Sequence, residues 1–270
     1  MSSFFSIIIP TFNSAKDIQD CIDSILIQDC KDVEICVIDG GSTDATVSIV
    51  ESNRDKGAKI KLISEKDKGT YDAMNKGVEL ASGEWILFLG SDDSFFDATV
   101  LSELKAELNH TSEVVVYGNA KINGNTGWAK DGQLYDGLFT LPKLLNQNIC
   151  HQAMLYKRSF ILNQVGTFRL DYPISSDWDF NLRCWAKQSF RYIPITIANF
   201  NAGGVSTDAF DASFSKDYLS NICKYFAITC FHPLLNSPTF IHYQEVLRMQ
   251  KRENRFRYYA GRLRSKIMGK

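Results

Sequence analysis

The chain has 270 residues, 44 % of them hydrophobic and 23 % charged, with a formal net charge of −1. This is ordinary globular composition with enough material for one large α/β domain and an appendage, and it excludes collagenous, low-complexity and small disulfide-framework classes. The near-zero charge hides an asymmetry: Arg248–Lys270 holds nine Lys/Arg against one Glu, a charge of +8, which leaves −9 on residues 1–247.

The seven cysteines (Cys21, Cys30, Cys36, Cys150, Cys184, Cys223 and Cys230) are odd in number and irregularly spaced, with no C-x-x-C. Reduced cysteines acting as small hydrophobes in a cytoplasmic protein are the expectation. The amino terminus runs into apolar β-type sequence without a basic leader, and no stretch approaches the roughly 20 apolar residues that span a bilayer.

In chain order, short β-branched runs predict strands near residues 4–9, 33–38, 59–63 and 84–89, with helical patterns near 14–28, 43–54 and 70–81 between them. Asn13 or Ser14 is expected to cap the first helix. Ser42 or Thr43 is expected to cap the second, with Asp44 in its first turn, and Gly57 and Gly83 to end the second and third. A helix near 98–108 and a strand at 113–118 follow. Asn123–Gly127 reads as a turn between two short strands. Further on come a strand at 153–157, helices near 158–164 and 178–187, and a two-strand unit at 190–199. Helical patterns at 212–230 and 239–266 are separated by Pro233 and Pro238. Strands alternating with helices predict an α/β fold with a parallel sheet. We expect one catalytic domain over residues 1–210 and a C-terminal helical extension over 211–270.

In such a sheet, ligands bind beyond the carboxyl ends of the strands. Several of these ends carry acid: Val37-Ile38-Asp39-Gly40-Gly41-Ser42, Ile63-Ser64-Glu65-Lys66-Asp67 and Leu87-Phe88-Leu89-Gly90-Ser91-Asp92-Asp93. The first strand ends in Pro10-Thr11-Phe12-Asn13 instead, where a dinucleotide-binding domain would carry G-x-G-x-x-G. Asp39 before two glycines suits a base N–H or a ribose hydroxyl, or a simple Asp-Gly turn with a helix cap. The adjacent carboxylates of Asp92 and Asp93 repel each other. They suit a hard cation, Mn2+ or Mg2+, bridging to a diphosphate, unless they form a solvated, capping loop. Asp177 and Asp179 in Ser175-Ser176-Asp177-Trp178-Asp179 are either helix-start residues or a general base facing the crevice.

Five segments occur in order: Ser6-Ile-Ile-Ile-Pro-Thr-Phe-Asn13, Val37-Ile-Asp-Gly-Gly-Ser-Thr-Asp44, Gly69-Thr-Tyr-Asp-Ala-Met-Asn-Lys-Gly77, Gly83-Glu-Trp-Ile-Leu-Phe-Leu-Gly-Ser-Asp-Asp93 and Ser176-Asp-Trp-Asp179. Over roughly residues 4–200 this resembles the family 2 inverting glycosyltransferases, whose fold is GT-A. The resemblance implies that Pro10, Thr11, Asn13 and Asp39 hold the nucleotide, with Asp39 accepting from uracil N3–H. It implies that Lys68, Gly69, Asp72 and Asn75 line the nucleotide and donor-sugar side. Asp92 and Asp93 stand for the family's D-x-D, shared between donor and metal, with Gly90 or Ser91 at its first position. Asp177 matches the base that deprotonates the acceptor, with Ser176 where the family often has Glu. His151, beside Gln152, and Trp178 are candidate contacts to acceptor or donor sugar, and a structural histidine is the competing reading. Gly203-Gly204-Val205-Ser206 reads as a loop over the diphosphate or a turn.

A UDP-sugar donor, a polyprenyl-diphosphate-linked saccharide acceptor and a place on the inner face of the cytoplasmic membrane are what the resemblance implies for a bacterial surface-polysaccharide enzyme. The basic, aromatic-rich tail suits an anionic membrane surface, and no nucleic-acid recognition motif accompanies it. The rivals are a metal-dependent sugar nucleotidyltransferase and a non-catalytic carbohydrate-binding subunit.

Overall fold

The computed structural model describes residues 3–203, 211–230 and 232–236. Two compact units divide the chain: one of Met1–Phe139 with Ile149–Asp211, the other of Thr140–Asn148 with Ala212–Lys270.

In the first unit the strands are β1 (Phe5–Thr11), β2 (Val33–Asp39), β3 (Ile60–Ser64), β4 (Trp85–Phe88), β5 (Ser94–Phe95), β6 (Val115–Asn123), β7 (Leu134–Tyr135), β8 (Met154–Lys157) and β9 (Arg191–Asn201). Among the described residues they form one sheet in the order β3-β2-β1-β4-β8-β6-β9-β5, with β7 on β6. β1 pairs in parallel with β2 and β4, β2 with β3, and β6 with β9. Because β8 is antiparallel to both β4 and β6, β6 and β9 run in the same direction as β1 to β4. The carboxyl ends of six strands, and the amino end of β8, therefore share one edge.

The helices of this unit are α1 (Ile18–Leu26), α2 (Thr46–Asp55), α3 (Thr70–Leu80) and α4 (Val100–Leu108). The short α-helical turn α6 (Arg158–Phe160) and the helix α7 (Ser176–Trp185) come later in the chain. Ile7, Ile8, Ile9, Cys36, Val37, Ile38, Ile86, Leu87 and Phe88 are fully buried, so β1, β2 and β4 are covered on both faces, as continuous apolar runs require. Gly77 lets α3 lie against Ile8: a Cβ there would overlap the isoleucine's Cγ2.

Several local expectations are corrected. α1 begins at Ile18, because residues 14–17 form a turn in which the Ser14 carbonyl accepts from Asp17 and Ile18 N–H. α2 begins at Thr46, whose N–H is taken by the Asp44 carboxylate, while Ser42 and Thr43 bond to Asp39 and Asn13 instead. Gly57, at φ +97, fits the helix exit expected of it. Gly83 instead lies where a Cβ would come within 2.7 Å of the Phe5 backbone, so close chain approach requires that glycine. Asn123–Gly127 does lie between two antiparallel strands, β6 and β7, but β6 is nine residues long and the connection runs on to Gln133.

The expected two-strand unit at 190–199 is one strand. Its register on β6 jumps between Tyr117↔Tyr192 and Asn119↔Thr196, so Ile193-Pro194-Ile195 forms a bulge, a place where a sheet tolerates proline. The helix expected at 158–164 is an α turn continued by a π-type turn, Ile161–Val165.

The second unit contains α5 (Leu141–Leu144), with Thr140 capping it through the Lys143 N–H, and, among its other described residues, α8 (Ala212–Tyr225). The Tyr218 hydroxyl donates to the Leu145 carbonyl at 2.5 Å. The helix expected at 239–266 and the loop at 204–206 lie outside the described residues. Among the described residues no helix is long and apolar enough to cross a membrane, and no disulfide joins any two of the cysteines.

Candidate functional site

The shared strand edge opens into a cavity of about 650 Å³. β1 contributes Pro10, Thr11 and Phe12, and the loop after β2 contributes Gly40. The segment between β3 and α3 contributes Lys66, Asp67 and Gly69, and α3 adds Tyr71 and Met74. Beyond β4 come Gly90, Ser91, Asp92 and Asp93. His151 and Gln152 arrive at the amino end of β8, Phe200 and Asn201 at the carboxyl end of β9, and Asp177 from the first turn of α7 (Ser176–Trp185). The convergence of acidic strand ends expected from the sequence is met by Asp67, Asp92 and Asp93. Glu65 pairs outward with Lys76 at 2.7 Å.

Asp39 is 0 % exposed and does not line the cavity. Its carboxylate accepts from Gly41 N–H (3.1 Å), Ser42 N–H (3.0 Å), the Ser64 hydroxyl (2.7 Å) and the Ser42 hydroxyl. It thus folds the Gly40–Ser42 loop and brings Gly40, rather than itself, to the cavity. Asn13, in the left-handed region at φ 50, also holds this loop: its N–H donates to Ser42 Oγ at 2.7 Å and its side-chain oxygen accepts from Thr43 N–H at 2.9 Å.

Lys68, Asp72, Asn75 and Trp178 are likewise outside the lining. Asp72, in the first turn of α3, accepts from Lys68 N–H at 3.1 Å, just ahead of the helix. Asn75 clamps the backbone of Phe168 through both amide atoms, at 3.0 and 2.7 Å, so its side chain is spent on the scaffold. Gly69 opens α3 at φ +106, and its N–H donates to Asp67 at 2.8 Å.

The carboxylate pair is unequal. Asp93 is 2 % exposed; its two oxygens accept from Asn201 N–H and Gln152 Nε2, each at 2.8 Å. Burial, and secondly the charge of Asp92, push its carboxyl up to about 7, against the pull of those two donors. Asp92 is exposed to the cavity, yet the surrounding walls still raise its carboxyl, with Asp17 adding a like charge. Both point to the space beside Gly90, where an added Cβ would lie 2.5 Å from Asp93 Oδ2 and 2.8 Å from Asp92 Oδ1. Glycine keeps that space open.

Two hard, mutually repelling oxygens around an open pocket fit a divalent cation. Among the described residues no cluster of three or more His, Cys, Asp or Glu side chains is placed to hold a metal, so the remaining ligands would be phosphate and water, the usual situation for Mg2+.

Asp177 lines the same cavity, joined to the carboxylate pair through neighbouring residues: His151 contacts Asp177, and Gln152 bonds Asp93. One oxygen of Asp177 accepts from the Tyr71 hydroxyl at 3.0 Å and from Trp178 N–H at 2.8 Å; the other lies 3.3 Å from His151 Nδ1. Tyr71 is kept protonated by burial and by the negative charge of Asp177, which raise its phenol well above its ordinary value. Asp179, two residues on, is fully buried and bonded to Arg183 at 2.8 Å, so of the two candidate bases only Asp177 faces the cavity. Tyr71, Phe200 and Asn201 are cavity residues that motif reading did not single out. The signal for the last two was available: they end an apolar strand at the same edge as the others.

The glycosyl transferase family 2 model matches residues 6–169. A PGL/p-HBAD biosynthesis glycosyltransferase of Mycobacterium bovis is 40 % identical over 219 residues, covering 78 % of this chain and 82 % of that protein. Among solved structures, Staphylococcus aureus TarS in complex with UDP-GlcNAc superposes with a TM-score of 0.67 at 20 % identity, covering 94 % of this chain and 74 % of that one. The mannosyltransferase PcManGT of Pyrobaculum calidifontis, in complex with GDP-Man and Mn2+, gives 0.62 at 17 % identity, covering 96 % and 78 %. At these identities the two structures speak for the fold.

Proposed function

The chain belongs to glycosyl transferase family 2, and from that premise we propose that it transfers a hexose from a UDP-sugar, with inversion, to a sugar hydroxyl on a polyprenyl-diphosphate-linked acceptor. The setting is O-antigen- or capsule-type polysaccharide synthesis at the inner face of the cytoplasmic membrane, with the basic C-terminal tail on the lipid surface. The observation that carries the reading is a cavity lined both by a carboxylate pair and by Asp177, which Tyr71 and His151 hold.

The nucleotide takes the β1–β3 end, where Pro10, Thr11 and Phe12 line the cavity and Asp39 and Asn13 shape the glycine loop. The diphosphate meets Asp92 and Asp93. Mn2+ or Mg2+ held there would supply Lewis-acid stabilisation to the leaving diphosphate, and the Mn2+ complex of a fold neighbour supports that choice. Asp177 accepts the proton of the acceptor hydroxyl as that oxygen attacks the anomeric carbon from the face opposite the UDP. An α-linked donor then gives a β-glycoside. The Tyr71 hydroxyl, the Trp178 N–H and His151 hold the Asp177 carboxylate in position.

A screen of UDP-sugars against polyprenyl-diphosphate-linked saccharides, read by mass spectrometry and with anomeric configuration assigned by NMR, tests the reading. Transfer with retained configuration, or turnover only with other nucleotide sugars, would overturn it.

A further inference from the structure

We propose that Trp128 is the floor of an acceptor subsite and stacks on the apolar face of a pyranose next to the sugar that is glycosylated. The proposal rests on the glycosyl-transfer reading above.

Trp128 is one of the few large apolar side chains left open, at 41 % exposed. It is also held in place from three sides. The ring packs edge-on to Tyr135 at 4.8 Å between centroids and tilts against Phe200 at 5.4 Å. Beneath it, Thr126 Oγ1 accepts from the N–H groups of Trp128 (3.2 Å) and Ala129 (2.7 Å), and Gly124 N–H donates to Asp131 at 2.7 Å. An exposed indole on a pinned loop is preorganised, so little side-chain freedom is lost when something covers it.

Its place in the sheet says what that something is. Trp128 follows β6, whose last residues pair Ile122↔Phe200 and Asn123↔Asn201. Phe200 and Asn201 are cavity wall, and Asn201 also donates to Asp93. The indole therefore continues the cavity outward through Phe200. In the strand order, β4 and β8 lie between β1 and β6, which at about 4.8 Å per strand puts this end about 14 Å from the nucleotide end. With the donor filling the β1–β4 side, the ligand reaching Trp128 is the acceptor.

The axial C–H bonds on one face of a pyranose carry slight positive charge and meet the negative face of an indole. An anionic membrane suits the patch less. Residues 124–136 carry Lys130 against Asp131 and Asp136, a net charge of −1. Exposed Leu134 neighbours the buried Tyr135 in β7 and so projects to the opposite face.

The test uses the full chain with Mn2+. UDP is titrated first; at saturating UDP, methyl glycosides of glucose, galactose, mannose, rhamnose and N-acetylglucosamine follow, with tryptophan fluorescence and calorimetry as readouts. We expect at least one glycoside to change the fluorescence. Trp128→Ala should weaken that glycoside about tenfold or more, and Trp128→Phe should keep part of the affinity. Both variants should bind UDP within twofold of the parent, which also shows that they are folded. UDP binding with no response to any glycoside, or a glycoside affinity unchanged in Trp128→Ala, would overturn the subsite. So would a fluorescence response to phosphatidylglycerol vesicles that is lost in Trp128→Ala while no glycoside gives one. Failure of the parent chain to bind UDP would instead overturn the donor reading, and the acceptor assignment with it.

Discussion

His151 Nδ1 lies 3.3 Å from an oxygen of Asp177, although 25 residues separate them in sequence. One arrives at the amino end of an antiparallel strand, the other on the first turn of a helix. The contact presents a carboxylate whose two oxygens differ, one bound by Tyr71 and Trp178 and the other facing His151 and the cavity.

Asp177→Asn should keep the shape of this arrangement and lose the proton acceptor. General-base catalysis contributes about 10²–10⁴-fold, so kcat should fall by that order with donor KM nearly unchanged. Asp179→Asn should behave differently: it breaks a buried ion pair with Arg183, which costs on the order of 3 kcal/mol of stability. Thermal melts and steady-state kinetics on both variants separate the roles. Near-parental kcat in Asp177→Asn would reassign the base.

Activity should need a divalent cation. EDTA should abolish transfer and Mn2+ or Mg2+ restore it, and Asp92→Ala or Asp93→Ala should raise donor KM or end turnover. Gly90→Ala makes a finer test, because its Cβ would enter the space between the two carboxylates. It should raise the Mn2+ concentration giving half-maximal activity by about tenfold, with a few degrees or less lost in Tm. Undiminished transfer after exhaustive chelation would remove the metal from the mechanism.

Glu34 should make the fold acid-sensitive. It is 1 % exposed at the end of the sheet remote from the cavity, and its carboxylate is held by the Ser6 hydroxyl (2.6 Å), the N–H groups of Ser82 (2.6 Å) and Gly83 (3.2 Å), and Lys61 (3.0 Å). Burial alone would raise its carboxyl; the donors outweigh that and lower it from an ordinary 4.5 to about 2. A carboxyl depressed in the folded state stabilises it fully above the unfolded pKa and loses that contribution as pH falls toward the folded one. The window therefore runs from about pH 5 down to about pH 2, and the contribution is at most about 3 kcal/mol. Glu34→Gln should be less stable than the parent at pH 7 in urea melts, and the gap should close across this window. A gap independent of pH would assign the loss to packing.

The tail should dock the protein on anionic lipid. Arg248–Lys270 carries +8 with Phe256, Tyr258, Tyr259, Leu263, Ile267 and Met268 threaded between the charges, and each Lys or Arg at such a surface is worth about 1 kcal/mol, less in salt. Truncation after Glu245 should spare transfer to a short soluble acceptor and lower transfer to acceptor in vesicles. Co-sedimentation with liposomes should require anionic lipid and weaken with salt; equal sedimentation of truncated and full-length chains would place the anchor elsewhere.

The alternation of β-branched runs with helical periodicity, and the position of acid just past those runs, were enough to read α/β architecture, the strand edge that carries the cavity, and Asp92 and Asp93 as a carboxylate pair on it; between Asp177 and Asp179 only the family resemblance chose. These are local signals: hydrophobic period sets secondary structure, and the carboxyl ends of parallel strands are where ligands sit. Which polar side chain reaches the cavity is not local. Asp39 and Asn75 stand in the right segments, yet one is consumed by its own loop and the other by the backbone of Phe168, 93 residues away. The antiparallel insertion of β8 and the parallel pairing of β6 with β9 are also decided only in three dimensions. Strand pairing depends on which edges meet during packing, and no periodicity within a strand encodes its neighbour. That pairing brings His151, Asn201 and Trp128 to the same edge as the motifs.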